Sequence, residues 1–228
     1  PDLAWEVNAN GLKILLDVAK EEGIERLFWP SSIAAFGPDT PKENTPNETI
    51  LRPTTMYGVT KVTGELLCEY YVKRYGLDIR SLRYPGIISY KTLPGGGTTD
   101  YAVAIFYDAI KEKKYTCFLK EDSVLPMMFM PDCVKATIDI MEAESSRLVH
   151  RVFNLAAVSF APRDVVSEIK KHIPEFECSY APDFRQAIAD SWPRTIDDSA
   201  ARRQWGWRHE YDLAKMTEVM LAEIRKKL

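Results

Sequence analysis

Between residues 3 and 90 two helical patterns alternate with two short strand-like runs, and this alternation restricts the chain to few folds. Residues 3–21 mix Leu12, Ile14, Leu15, Leu16 and Val18 with Lys13, Asp17, Lys20 and Glu21, the pattern of an amphipathic helix that Gly23 ends. Leu27-Phe28-Trp29 reads as a buried strand closing near Ser31. Residues 37–54, rich in Pro, Thr, Asn and Glu, form a loop. A helix over 55–75 stops at Gly76, and the strand Asp78–Tyr84 follows, broken by Pro85-Gly86. Helix and strand alternating at this spacing build βαβ units around a parallel sheet.

From about residue 91 the texture changes. Gly95-Gly96-Gly97-Thr98-Thr99-Asp100 reads as a flexible loop capping a helix over 100–113. Strands are expected at Tyr115–Leu119, Val152–Leu155 and Phe176–Tyr180. Asp132 is expected to cap a helix reaching Ala143, Pro162 to open another, and two short helices to precede a final amphipathic helix over 211–227. The expected class is α/β, a doubly wound parallel sheet in residues 1–90 with a smaller α/β region in 91–228 that interleaves with the sheet.

Composition removes several functions. The net charge is −3 without a basic tract, which argues against nucleic-acid and membrane-surface partners. No apolar run nears the ~20 residues of a bilayer-spanning helix. Cys68, Cys117, Cys133 and Cys178 are far apart, as are His150, His172 and His209, so no metal motif emerges and the cysteines read as free thiols of a reducing compartment.

The chemistry concentrates in Tyr57-Gly58-Val59-Thr60-Lys61. A phenol and an ammonium four residues apart share one helix face. Free tyrosine titrates near about pH 10, too high for a base at neutral pH, and a neighbouring cation favours the phenolate. Tyr-x-x-x-Lys occurs by chance on many helices. Ser32, 25 residues before Tyr57 and at the end of an expected strand, gives the pair its weight, because its hydroxyl could hold a substrate hydroxyl toward the phenol.

Pro30–Gly37 and Tyr57–Lys61 resemble the active-site motifs of the extended short-chain dehydrogenase/reductase superfamily. Asn8-Ala9-Asn10-Gly11 is similar to the segment opening the helix before its serine strand, and Pro85-Gly86-Ile87-Ile88 to the turn lying against the nicotinamide. The resemblance covers nearly the whole chain, starting about one-third into the superfamily's pattern. It implies a Rossmann-like fold, of which 1–90 would be the C-terminal part of the dinucleotide-binding domain. It further implies catalytic Ser32, Tyr57 and Lys61, and NAD held by Asn8, Ser31, Tyr57, Lys61, Tyr84, Pro85 and Ile87.

Within the superfamily, Arg83–Ser89, Gly97–Ala102, Leu125–Asp132 and Ser191-Trp192-Pro193 resemble the L-threonine 3-dehydrogenases. That implies oxidation of L-threonine, with Ser32, Tyr57, Gly97, Thr98, Thr99 and Trp192 around the substrate. Two other functions stay open: a sugar-nucleotide epimerase or dehydratase, and a non-catalytic scaffold. The sugar-nucleotide branch carries an arginine seven residues before the aspartate matching Asp132, bidentate on a pyrophosphate; here that position is Leu125. The helix 55–75 has Leu66, Leu67, Tyr70 and Tyr71 in excess of one core stripe, so a homodimer through it is expected. The superfamily's glycine-rich turn and ribose-binding acid have no match in the chain, and about 60–80 further residues ahead of Pro1 are expected from the size of such units. The expected compartment is the cytoplasm, or the mitochondrial matrix in a eukaryote.

Overall fold

The structure, a computed structural model, describes residues 1–228. The first helix forms in three parts: α1 (Asp2–Trp5), a π-helical turn (Glu6–Asn10) and α2 (Gly11–Glu21). Only Leu12, Leu16 and Ala19 of α2 are buried, leaving Ile14, Leu15 and Val18 exposed. β1 (Arg26–Ser32) runs longer than Leu27–Trp29. The Thr55 hydroxyl caps α3 (Met56–Tyr75), left-handed Gly76 stops it, and β2 (Asp78–Tyr84) follows where expected.

Pro85 does not end strand structure. β3 (Gly86–Ile88) resumes at once in a second sheet. Then come α4 (Tyr101–Lys111), β4 (Lys114–Cys117), β5 (Leu125–Phe129), α5 (Met130–Glu142), β6 (Val152–Asn154), β7 (Val158–Phe160), α6 (Pro162–His172), β8 (Glu177–Tyr180), α7 (Arg185–Ser191), α8 (Ser199–Trp205) and α9 (Leu213–Arg225). β5 and β7 are elements the sequence pattern did not announce.

β1, β2 and β6 form one parallel sheet with β2 in the middle, and Ser31 pairs with Arg83 and Ser32 with Tyr84. Strand periodicity of two divides β2 between the faces. Ile79 packs with Leu12, Leu16, Trp29, Cys68 and Tyr71 under α2 and α3. Leu82 packs with Ala136, Ile140, Phe153 and Trp205 under α5 and α8 on the other side. The sheet is thus covered on both faces, the doubly wound α/β arrangement expected. β5 lies between parallel β3 and antiparallel β7, and β4 pairs with β8. A core of 24 buried residues joins these to α4, α6 and α9.

Charges fix two junctions. Asp78 binds Arg26, Arg80 and Arg151. Arg80, fully buried, also donates to the carbonyls of Ile140, Met141 and Ala143 and so closes the C-terminal end of α5. Asp132 corrects an expectation. It lies inside the first turn of α5 and does not cap it; its carboxylate accepts from the backbone N–H groups of Glu210 (2.8 Å) and Tyr211 (3.2 Å), tethering the approach to α9.

Candidate active site

The C-terminal ends of β1 and β2, the first turns of α3, the 97–99 loop and α7 enclose a cavity of about 340 Å³. Crevices at the carboxyl ends of parallel strands are the usual ligand sites of open α/β sheets. Ser32, Tyr57, Pro85, Gly86, Ile87, Gly97, Thr98, Thr99 and Trp192 all reach it. Three larger cavities, between α3 and residues 148–152, against α5, and between residues 120–125 and 189–194, contain none of the three expected catalytic residues.

Thr55 sets the start of α3 by accepting from Gly58 N–H at 3.1 Å, so Tyr57 falls at the cavity mouth and Lys61 one turn deeper. The Lys61 ammonium donates to the Pro30 carbonyl at 2.7 Å and lies 4.6 Å from the Trp29 ring centroid and 5.3 Å from that of Tyr57. Burial lowers its pKa. One of its three donors is spent on Pro30, leaving two for a ligand. The Ser32 hydroxyl accepts from Ala34 N–H and lines the cavity together with Tyr57.

Two effects act on the Tyr57 phenol in opposite directions. Burial pushes its pKa up, and Ser32 is the group pulling it down. Tyr57 keeps 48% of its surface exposed, so the upward push is partial. Pro30 and Trp29 hold the Lys61 ammonium over the Tyr57 ring.

Other expected site residues differ in what their side chains are free to do. Ser31 is buried and its hydroxyl donates to Glu65. The Tyr84 hydroxyl is engaged with Thr137 on α5, on the far side of the sheet. Asn8 donates to the Thr60 hydroxyl at 3.2 Å, which in turn donates to the Tyr57 carbonyl, so Asn8 steadies the catalytic helix. The N–H groups of Gly95 and Gly97 are taken by the Asp100 carboxylate. The anion that this loop binds is therefore its own Asp100. Thr98 and Thr99 do not cap α4, whose N-cap is Asp100, and they face the cavity. Thr55, Ile33 and Ile188 also line it. Of these only Thr55 had a sequence signal, a threonine just before a helix.

The groups fit the nicotinamide-ribose end of a dinucleotide: the Tyr57 phenol shares the cavity with the Pro85–Ile87 turn, and the Lys61 ammonium, with two donors free, lies 5.3 Å from the centre of that phenol ring. No charged side chain lines the cavity.

Comparison with known proteins agrees with this geometry. Residues 1–156 match the model of the NAD dependent epimerase/dehydratase family. The mitochondrial L-threonine 3-dehydrogenase of Bos taurus is 54% identical over 220 residues, 96% of this chain. The chain spans 59% of that relative's length. The crystal structure of L-threonine dehydrogenase from Phytophthora infestans superposes with a TM-score of 0.99 at 56% identity, covering 100% of this chain and 74% of the other. A monomeric L-threonine 3-dehydrogenase from a metagenome gives 0.96 at 49% identity, covering 100% and 73%. The chain belongs to the NAD dependent epimerase/dehydratase family.

Proposed function

We propose that this chain carries the chemical end of the active site of an L-threonine 3-dehydrogenase, oxidising L-threonine at its 3-hydroxyl to 2-amino-3-oxobutyrate. The observation that carries this is the convergence of Ser32 and Tyr57 with Thr98, Thr99 and Trp192 on one small cavity, with the Lys61 ammonium 5.3 Å from the Tyr57 ring centroid just outside its lining. Bound NAD supplies the hydride acceptor. Tyr57 takes the proton of the substrate hydroxyl, and Ser32 holds that hydroxyl in place. Lys61 offers its free donors to the ribose, while Asn8 and Thr60 fix the helix and Pro85 and Ile87 wall the ring site. Thr98, Thr99 and Trp192 bound the amino-acid end. The sugar-nucleotide alternative is disfavoured because Leu125 is 1% exposed within β5, where a pyrophosphate-binding arginine would stand.

The division near residue 90, the cytoplasmic or mitochondrial-matrix compartment, and a homodimer belong to the same proposal. Exposed Leu66 and Tyr70 on α3, beside exposed Ile14, Leu15 and Val18 on α2, support the dimer; a monomer by sedimentation at micromolar concentration would overturn it. The test of function is NAD reduction with L-threonine and L-serine by the protein carrying this chain. Tyr57→Phe is expected to lower turnover by about 10²–10⁴-fold while threonine binding survives. Retained turnover removes Tyr57 as the base; binding of a UDP-sugar without threonine oxidation reverses the choice of substrate.

A further inference from the structure

Lys61 has a carboxylate neighbour it does not use. Glu65 lies four residues on, on the same face of α3, where a lysine and a glutamate ordinarily pair. Both side chains dock on successive residues of β1: Lys61 on the Pro30 carbonyl at 2.7 Å, Glu65 on the Ser31 hydroxyl. No ion pair joins them. Glu65 is instead held by Arg83, through Nε at 2.9 Å to one carboxylate oxygen and Nη2 at 2.8 Å to the other.

Arg83 is well placed for this. It sits opposite Ser31 in the β1–β2 register, pointing to the same face. Its remaining nitrogen donates to the Asn47 carbonyl at 2.7 Å and to Asn154 Oδ1 at 3.1 Å. Asn154 binds the carbonyls of Thr45 and Asp197. The guanidinium is therefore anchored independently of Glu65, and both partners are about 6% exposed. A two-point clamp between buried charges is strong and geometrically selective.

We propose that Arg83 is a positioning residue for the catalytic pair: by clamping Glu65 it keeps that carboxylate off Lys61 and leaves the ammonium directed at Pro30, Tyr57 and the ligand side of the cavity. Without the clamp Lys61, four residues away on the same helix face, is a cation Glu65 can reach, and pairing would draw the ammonium one turn down the helix, away from Tyr57. The inference deepens the proposed dehydrogenase reading, and its first test does not depend on that reading.

The groups facing the pair include a cavity that Glu65 and Arg83 line together with Glu48, Glu69, Lys73, His150 and Arg151. From β1 come the Trp29 ring, Pro30 carbonyl and Ser31 and Ser32 hydroxyls, and from β2 Arg83. Asn8 contacts Thr60, and Cys68 on α3 lies near Glu65, its thiol pushed up to about 12 by burial first and Glu65 second. Beyond Tyr57 the candidate active-site cavity is lined by the uncharged Thr98, Thr99, Ile188 and Trp192.

The experiment is a titration of Lys61 in the whole chain carrying carbon-13-labelled lysine, followed by NMR and assigned with Lys61→Arg. In the parent chain burial holds the Lys61 midpoint below that of ordinary lysine. Arg83→Gln is expected to move it to higher pH, because Glu65 captures the ammonium. Arg83→Gln/Glu65→Gln is expected to bring it back toward the parent value, since no carboxylate remains. If Arg83→Gln does not fold, Arg83→Lys, with one-point contact, carries the test with a smaller upward move. An unmoved midpoint in the folded single variant, or a double variant as displaced as the single one, overturns the proposal. A merely structural role makes the double variant no better than the single. In active protein, the single variant should lose about 10²-fold in kcat with a far smaller change in KM, the scale of a misplaced catalytic group, and the double variant should recover part of it.

Discussion

Gly64→Ala sets helix propensity against packing in the helix that carries the site. In a helix interior alanine is favoured over glycine by about 0.8–1.0 kcal/mol. Gly64 lies in the middle of α3 with ordinary helical backbone, so this gain is available. Against it, a Cβ at Gly64 would fall 2.5 Å from Cε2 and Cζ2 of Trp29 and 2.7 Å from its Nε1. The indole cannot simply swing away, being 8% exposed and packed with Leu12, Leu16, Cys68, Tyr71 and Ile79. Forcing it aside is overpacking, at about 1–3 kcal/mol. The same ring carries the Lys61 ammonium at 4.6 Å, a contact of about 1–2 kcal/mol when desolvated. The sum centres near 2 kcal/mol of net destabilisation. For a chain of this size that lowers Tm by about 4–8 °C. Thermal unfolding followed by circular dichroism reads it. In a Trp29→Leu background the ring is gone, and the same Gly64→Ala change should be neutral or stabilising by up to about 1 kcal/mol. A raised Tm in the parent chain, or an equal loss in both backgrounds, would refute the packing argument.

Two further predictions concern the charged junctions. Burial alone would raise the Asp78 carboxyl, but hydrogen bonds from Arg80 and Arg26 and the charge of Arg151 hold it below the usual range. A depressed folded-state value stabilises the fold above the unfolded value near about pH 4 and loses that contribution as pH falls through the folded one. Asp78→Asn should therefore destabilise by about 3 kcal/mol at neutral pH, with the gap to the parent closing on acidification; a gap constant down to acid unfolding would contradict the assignment. Asp132→Ala removes the acceptor of two backbone N–H groups and should cost about 3 kcal/mol, with hydrogen exchange accelerating first at Glu210 and Tyr211; unchanged exchange there would sink the tether.

What the sequence made legible is what short-range geometry decides. Tyr57 and Lys61 are one helical turn apart, so their shared face follows from 3.6 residues per turn, and Ser32 ends a strand visible in its own apolar run. β5 is different. Its five residues are all buried, so no alternation marks it, and Pro126 argues against a strand until β3 and β7, from distant parts of the chain, are seen on either side of it. Asp132 stands where an N-cap aspartate would, and only the approach of Glu210, 78 residues on, shows what its carboxylate binds. The same limit hides where the Ser31 and Tyr84 hydroxyls go, to Glu65 and to Thr137. Neighbours in sequence point to opposite faces of a strand, and which face carries the ligand is set by the elements packed above it. Glu65 and Arg83 are the sharpest case. Read locally, Glu65 is a helix partner for Lys61; only the β1–β2 register, which brings Arg83 opposite Ser31, reassigns it. A pair four apart on a helix specifies proximity, but which charge is neutralised depends on the strand beneath, so the surroundings of Lys61 are a property of the sheet as much as of its motif.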